Sequence, residues 1–134
     1  MKKILIFTMF LFLFSPVMAK TKVNVLKVYD GDSILASIDE NIFRIRMIDI
    51  DCFEGSKNSH DKIQSQKYKI SVDEVVKNGN LAGDILRKRL DNNSVYFEFK
   101  GVDKYSRALG YLFVGKKNIN DEMLKTGYCF SYKN

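Results

Sequence analysis

Apolar residues recur at every second position toward both ends of the chain, and the spacing becomes helical in its middle. Lys22 to Val28, Ser33 to Ile38 and Ile42 to Ile50 are rich in β-branched and aromatic residues. Between them stand Asp30-Gly31-Asp32 and Asp39-Glu40-Asn41, which favour turns. The pattern predicts a meander of three antiparallel strands. In the third, Phe43, Ile45 and Met47 alternate with Arg44 and Arg46, so both arginines leave the face opposite the apolar set. From Gly55 to Asn80 the chain is polar and reads as a long functional or mobile loop. Within that loop, Ser71-Val72-Asp73-Glu74 has the form of a capping box and predicts a short helix over Val72 to Lys77. After Gly79, Leu81 and Ile85 stand at helical spacing, which predicts a second helix over Leu81 to Leu90. Strand pattern resumes at Val95 to Phe99, turns through Lys100 to Asp103, and returns at Ala108 to Val114. Lys116 to Lys125 predicts a last helix, with Met123 and Leu124 as its contacts and Gly127 as its stop. Five strands with helices inserted after the third and appended after the fifth fit a five-stranded Greek-key barrel of OB type carrying two to three short helices.

One apolar run belongs to neither period. Lys2-Lys3, the 11-residue stretch Ile4 to Phe14, and the small-residue exit through Val17-Met18-Ala19 have the layout of a secretory leader over residues 1–19. As a helix that run covers roughly 16 Å, about half of a ~30 Å bilayer core, so a stable span is the weaker reading. The expected mature domain, residues 20–134, then holds 20 basic against 16 acidic residues, a net charge of +4 rather than +6. A chain of this size makes one domain with one core. Its single histidine, His60, excludes histidine-pair chemistry and reads as a solvent-exposed loop residue. Two cysteines far apart, Cys52 and Cys129, exclude a zinc finger or a redox CxxC pair, and export permits a disulfide without requiring one. The small positive excess is compatible with a polyanionic partner.

Four carboxylates crowd into two short segments, Asp30 and Asp32 at the first turn and Asp51 and Glu54 after the third strand. A meander brings those segments to one end of the sheet. The acids there are either solvated turn residues or an oxygen-only set suited to a hard cation, Ca²⁺ or Mg²⁺. Arg44, Arg46 and Arg107 sit near the same end. They either pair with those acids or offer guanidinium forks to a phosphate. A cation and two arginines around a phosphodiester supply the charge neutralisation that phosphoryl displacement requires.

Four blocks in order, Val28-Tyr29-Asp30-Gly31-Asp32-Ser33, Arg46 through Glu54, Asp103 through Tyr111, and Asn120 with Gly127, resemble the successive signatures of staphylococcal-nuclease-like thermonucleases. The resemblance spans most of residues 22 to 132. It implies an exported endonuclease that hydrolyses DNA, RNA or both and leaves 3′-phosphates. Asp32 and Asp51 match metal-binding carboxylates, the Cys52 carbonyl a further ligand, and Asp30 an acid close behind them. Glu54 matches the general base, and Arg46 and Arg107 the pair that stabilises the transition state. Lys104 and Tyr105 match positions lining the nucleotide phosphate pocket, and Tyr132 lies near where the family places an aromatic against the base. Arg44 matches no role. The implied cofactor is Ca²⁺ in preference to Mg²⁺. The expected state is a secreted or periplasmic monomer with no stable protein partner, touching a membrane only through an uncleaved leader. The rival reading is a catalytically silent OB-fold module that binds nucleic acid.

Two positions depart from the pattern. Phe53 stands where Pro is usual, which frees the backbone before Glu54. Ser106 stands where Gly is typical, a tolerable change unless φ is positive there. Cys52 and Cys129 fall in segments expected at the active-site end, and we expect them to pair in the exported protein.

Overall fold

The computed structural model describes residues 19–133, so of the expected leader only Ala19 lies among the described residues. β1 (Lys20–Asp30), β2 (Ser33–Ile38) and β3 (Asn41–Met47) form the expected meander. β1 is long and carries register irregularities between Val25 and Lys27 and between Val28 and Asp30. Such irregularities bend a strand and increase its twist. The bent strand pairs with β5 (Val95–Val102) through Lys20 to Val23 and with β2 through Asn24 to Asp30. β5 returns antiparallel as β6 (Ala108–Val114), and β6 lies parallel to β3, with Ile45 opposite Ala108 and Met47 opposite Gly110. That pairing closes a five-stranded barrel of OB type and leaves it no open edge.

Period-2 alternation sends Ile34, Ala36, Ile45, Met47 and Phe97 inward, where they pack with Ala82 and Leu86 of α2 (Val72–Leu90) and Met123 of α3 (Ile119–Leu124). α2 is one 19-residue helix rather than two. Gly79, which weakens the helical signal, is needed within it, because a Cβ there would stand 2.2 Å from the Glu54 carbonyl. Close approach of the helix to the chain at Glu54 overrides propensity. The last helix is shorter than expected, since Lys117–Asn118 pair with β6 as β7 and the Asn118 side chain caps α3. Among the described residues no helix is long and apolar enough to cross a membrane.

The third strand ends at Met47 and not at Ile50, because Asp49 adopts φ 64° and turns the chain. β4 (Ile50–Cys52) then pairs with β8 (Cys129–Ser131), and the Cys52–Cys129 disulfide lies within that pairing, 77 residues apart in sequence. Buried Asn120 holds the departure point: its amide donates to the carbonyls of Ile48 and Gly110 and its oxygen accepts from Leu112 N–H. The polar stretch after Glu54 is not an irregular loop but α1 (Ser59–Tyr68), capped by a reciprocal Asn58 and Asp61 box. Its buried residues are Asp61 and Gln64, so it carries no apolar stripe for periodicity to reveal.

Candidate active site

The Asp30-Gly31-Asp32 turn is clamped against the barrel end. A Cβ on Gly31 would stand 2.8 Å from both Ala82 and the Cys52 sulfur, so only glycine lets the turn pack there. Asp32 is 5% exposed, and its Oδ2 accepts from Cys52 N–H at 2.6 Å and from Arg46 Nη1 at 3.0 Å. Arg46 Nη2 reaches Asp51 Oδ1 at 3.3 Å, and its Nη1 also donates to the Met47 carbonyl at 2.8 Å. Asp30 Oδ1 accepts from Asp32 N–H at 3.1 Å. Burial pushes the Asp32 carboxyl well above the ordinary range, and the adjacent Asp30 adds to this against the pull of Arg46 and the Cys52 amide. Burial likewise raises Asp30, opposed by its hydrogen bonds to Asp32. Buried like charges with a single guanidinium among them are under-neutralised, the electrostatic condition of a cation site.

The donor set is oxygen only, which suits a hard cation. Asp32 and Asp51 converge on one guanidinium, and the Cys52 carbonyl, which accepts from Gln64 Nε2 at 2.9 Å, keeps a second lone pair. Among the described residues no three Asp, Glu, His or Cys groups converge closely enough to hold a metal by themselves. A hard cation held here would therefore draw most of its ligands from water and substrate oxygens.

Glu54 is held by α1. Its backbone N–H donates to Gln64 Oε1 at 2.9 Å, so buried Gln64 grips the chain on both sides of Phe53. The Glu54 carboxylate is engaged at both oxygens, Oε2 by Asn58 Nδ2 at 2.9 Å and Oε1 by His60 Nδ1 at 2.8 Å. His60 is thus no free loop residue, and with Asn58 and Gln64 it is what reading the sequence missed. Asn58-x-x-Asp61 was the signal that could have found the helix, since it has the spacing of a capping box. Nor does Phe53 leave the backbone free: it is buried against Tyr68 and Phe130, with ring centroids 5.2 Å away in each case. Its N–H also donates to the Tyr128 carbonyl at 3.0 Å, a bond that proline could not make.

Arg107 is fixed by its own turn. Asp103 Oδ1 accepts from the N–H groups of Tyr105 and Arg107 at 2.9 and 3.0 Å, and Oδ2 accepts from Arg107 Nε at 2.8 Å. Burial pushes Asp103 up, but these amides and the guanidinium outweigh it and hold the carboxyl below its ordinary range. Ser106 adopts φ 59°, so the glycine-favouring conformation is required and a serine bears it. Across the site run two adjoining clefts of about 830 and 780 Å³ that share Arg46, Asp51, His60, Tyr105, Arg107 and Tyr132. Lys104 lines the first, and Asp30, Asp32, Arg44 and Glu54 line the second. The predicted carboxylates, arginines, Lys104, Tyr105 and Tyr132 therefore line these adjoining clefts, whereas Cys52 lines neither and reaches the site only through its N–H bond to Asp32.

A profile of the staphylococcal nuclease homologue family matches residues 44–134. The chain is 30% identical to an uncharacterized protein of Methanocaldococcus jannaschii over 81% of its own length and 58% of that protein's. It is 30% identical to the thermonuclease of Staphylococcus hyicus over 78% of this chain and 55% of the relative. It is also 30% identical to an uncharacterized endonuclease of Haemophilus influenzae, over 85% and 54%. The chain thus spans little more than half the length of these relatives.

Proposed function

The chain belongs to the staphylococcal nuclease homologue family, and on that premise we propose that it is a Ca²⁺-dependent endonuclease cutting DNA, RNA or both and leaving 3′-phosphates. The observation that carries this reading is the convergence of Arg46, Glu54 and Arg107 with two acids, Asp32 and Asp51, on one open depression. A module that only binds has no use for a carboxylate held at both oxygens beside an acid cluster.

The two guanidiniums stay charged at any working pH and suit the non-bridging oxygens of a phosphodiester, whose charge grows in the transition state. Glu54 would take the proton of the attacking water. A carboxylate is a weak base, and its fixed orientation between Asn58 and His60 is what compensates. Ca²⁺ bound by Asp32, Asp51 and the Cys52 carbonyl would neutralise charge on the phosphate. Tyr105, Lys104 and Tyr132, exposed along the cleft, offer stacking faces and a cation to the flanking nucleotide. Export belongs to the same proposal, supported by the leader pattern and by a disulfide of the kind that oxidising compartments preserve.

The test incubates the mature protein with single-stranded DNA and with RNA, each with Ca²⁺, with Mg²⁺ and with chelator. Cleavage confined to the Ca²⁺ arm with 3′-phosphate ends is the expected result. Binding without cleavage in every arm would instead favour the silent module.

A further inference from the structure

Three exposed side chains beside the site have no part in the chemistry above. Strand register puts Lys27 opposite Leu35 and Leu35 opposite Arg44, a single row across β1, β2 and β3. Tyr29 lies next to this row, with Lys27 Nζ 4.9 Å and Arg44 Cζ 5.0 Å from its ring centroid. A ring between two cations restrains both without neutralising either. Among the described residues neither cation pairs with a carboxylate. The other strand-borne arginine, Arg46, is spent on Asp32 and Asp51. Two charges held in place and left unpaired on a protein surface await an anion.

The position says which anion. Lys27, Tyr29 and Arg44 line the same cleft as Asp32, Arg46 and Glu54. Arg44 stands two residues before Arg46 on the same face of β3, roughly 6.8 Å away along the strand. That step is comparable to the distance between neighbouring phosphates on a polynucleotide. We propose that Lys27, Tyr29 and Arg44 form a second subsite that binds the backbone phosphates next to the scissile one, extending the substrate track over the outer face of β1 to β3. The proposal rests on the nuclease reading and assigns this side of the cleft to the strand leaving Arg46.

The test is fluorescence anisotropy of a single-stranded DNA of about 20 nucleotides, titrated in chelator at several salt concentrations with wild type, the Lys27→Ala/Arg44→Ala double variant and, as a control at an exposed lysine lining neither cleft, Lys88→Ala. Losing two phosphate contacts makes the slope of log K against log salt shallower by about 1.4. It also lowers low-salt affinity about tenfold and shrinks the affinity gained on lengthening a dinucleotide to the full strand. Lys88→Ala keeps the wild-type slope. A double variant with the wild-type slope, or one matched by Lys88→Ala, overturns the subsite. Cleavage by wild type with Ca²⁺, run alongside, separates the two claims: binding with the predicted slope change but no cleavage sinks the nuclease reading and leaves Lys27, Tyr29 and Arg44 as phosphate contacts of a module that only binds. A wild type that binds no DNA sinks both.

Discussion

Asp32 and Glu54 face the same cleft and are held in opposite ways. Asp32 is buried in a barrel turn and fixed by a backbone amide and a guanidinium from the next strand but one. Glu54 lies past the end of β4 and is oriented by two side chains of α1 and by its N-cap Asn58, and that helix contributes nothing apolar to the barrel core. The acid end of the site is thus part of the fold, whereas the carboxylate assigned as base depends on an attachment to it. Loosening the β4–β8 anchorage beneath the first should appear as lost stability, and loosening the second as lost turnover in a protein that still folds.

The largest effect expected is on the barrel-held half. Replacing both Cys52 and Cys129 with Ala releases a 77-residue loop and should cost about 4 kcal/mol in urea denaturation. A cost under about 1 kcal/mol would mean that the β4–β8 pairing holds without the bridge. Next, Arg107→Ala should lower kcat by about 100-fold with little change in melting temperature, because the Asp103 turn is closed largely by backbone groups. A wild-type rate would remove Arg107 from the transition state.

Asp103-Lys104-Tyr105-Ser106-Arg107 shows how much of this was legible. Its residues carry their own geometry locally, and so do the acids of the first turn, which a meander must bring near the end of the third strand. The barrel strands were legible for the same reason: alternation at Phe43, Ile45 and Met47 directly reports a face turned inward. α1 was not, because the residues it buries, Asp61 and Gln64, look like solvent-facing ones. Gly79 misled in the other direction, breaking on paper a helix that needs a glycine to pass Glu54. Where polar contacts rather than apolar ones hold an element, the period is silent.

His60 sharpens the contrast. Acting as a positioning residue, His60→Ala should lower kcat about tenfold while KM and melting temperature hold, since an oriented base loses efficiency as it gains freedom. His60→Asn, whose amide nitrogen can take the place of Nδ1, should recover most of the rate. If Asn rescues nothing, the contact with Glu54 is incidental. The smallest effect is electrostatic. Because burial raises Asp32, the fold loses stability as pH rises from the ordinary 3.8 through the raised value. In chelator, Asp32→Asn should therefore match wild type in acid and melt higher than wild type near neutrality. Ca²⁺ should lift the wild type and not the variant. A difference that shrinks with rising pH would reverse the sign of the argument.

The most direct test of the central claim is the single-turnover cleavage rate of wild type and Glu54→Gln on the same single-stranded DNA with saturating Ca²⁺, with melting curves to show that both are folded. The account expects wild-type cleavage that chelator abolishes, and a fall of at least about 100-fold in the variant at unchanged melting temperature. Equal rates from the two proteins, or no cleavage by wild type, would contradict it.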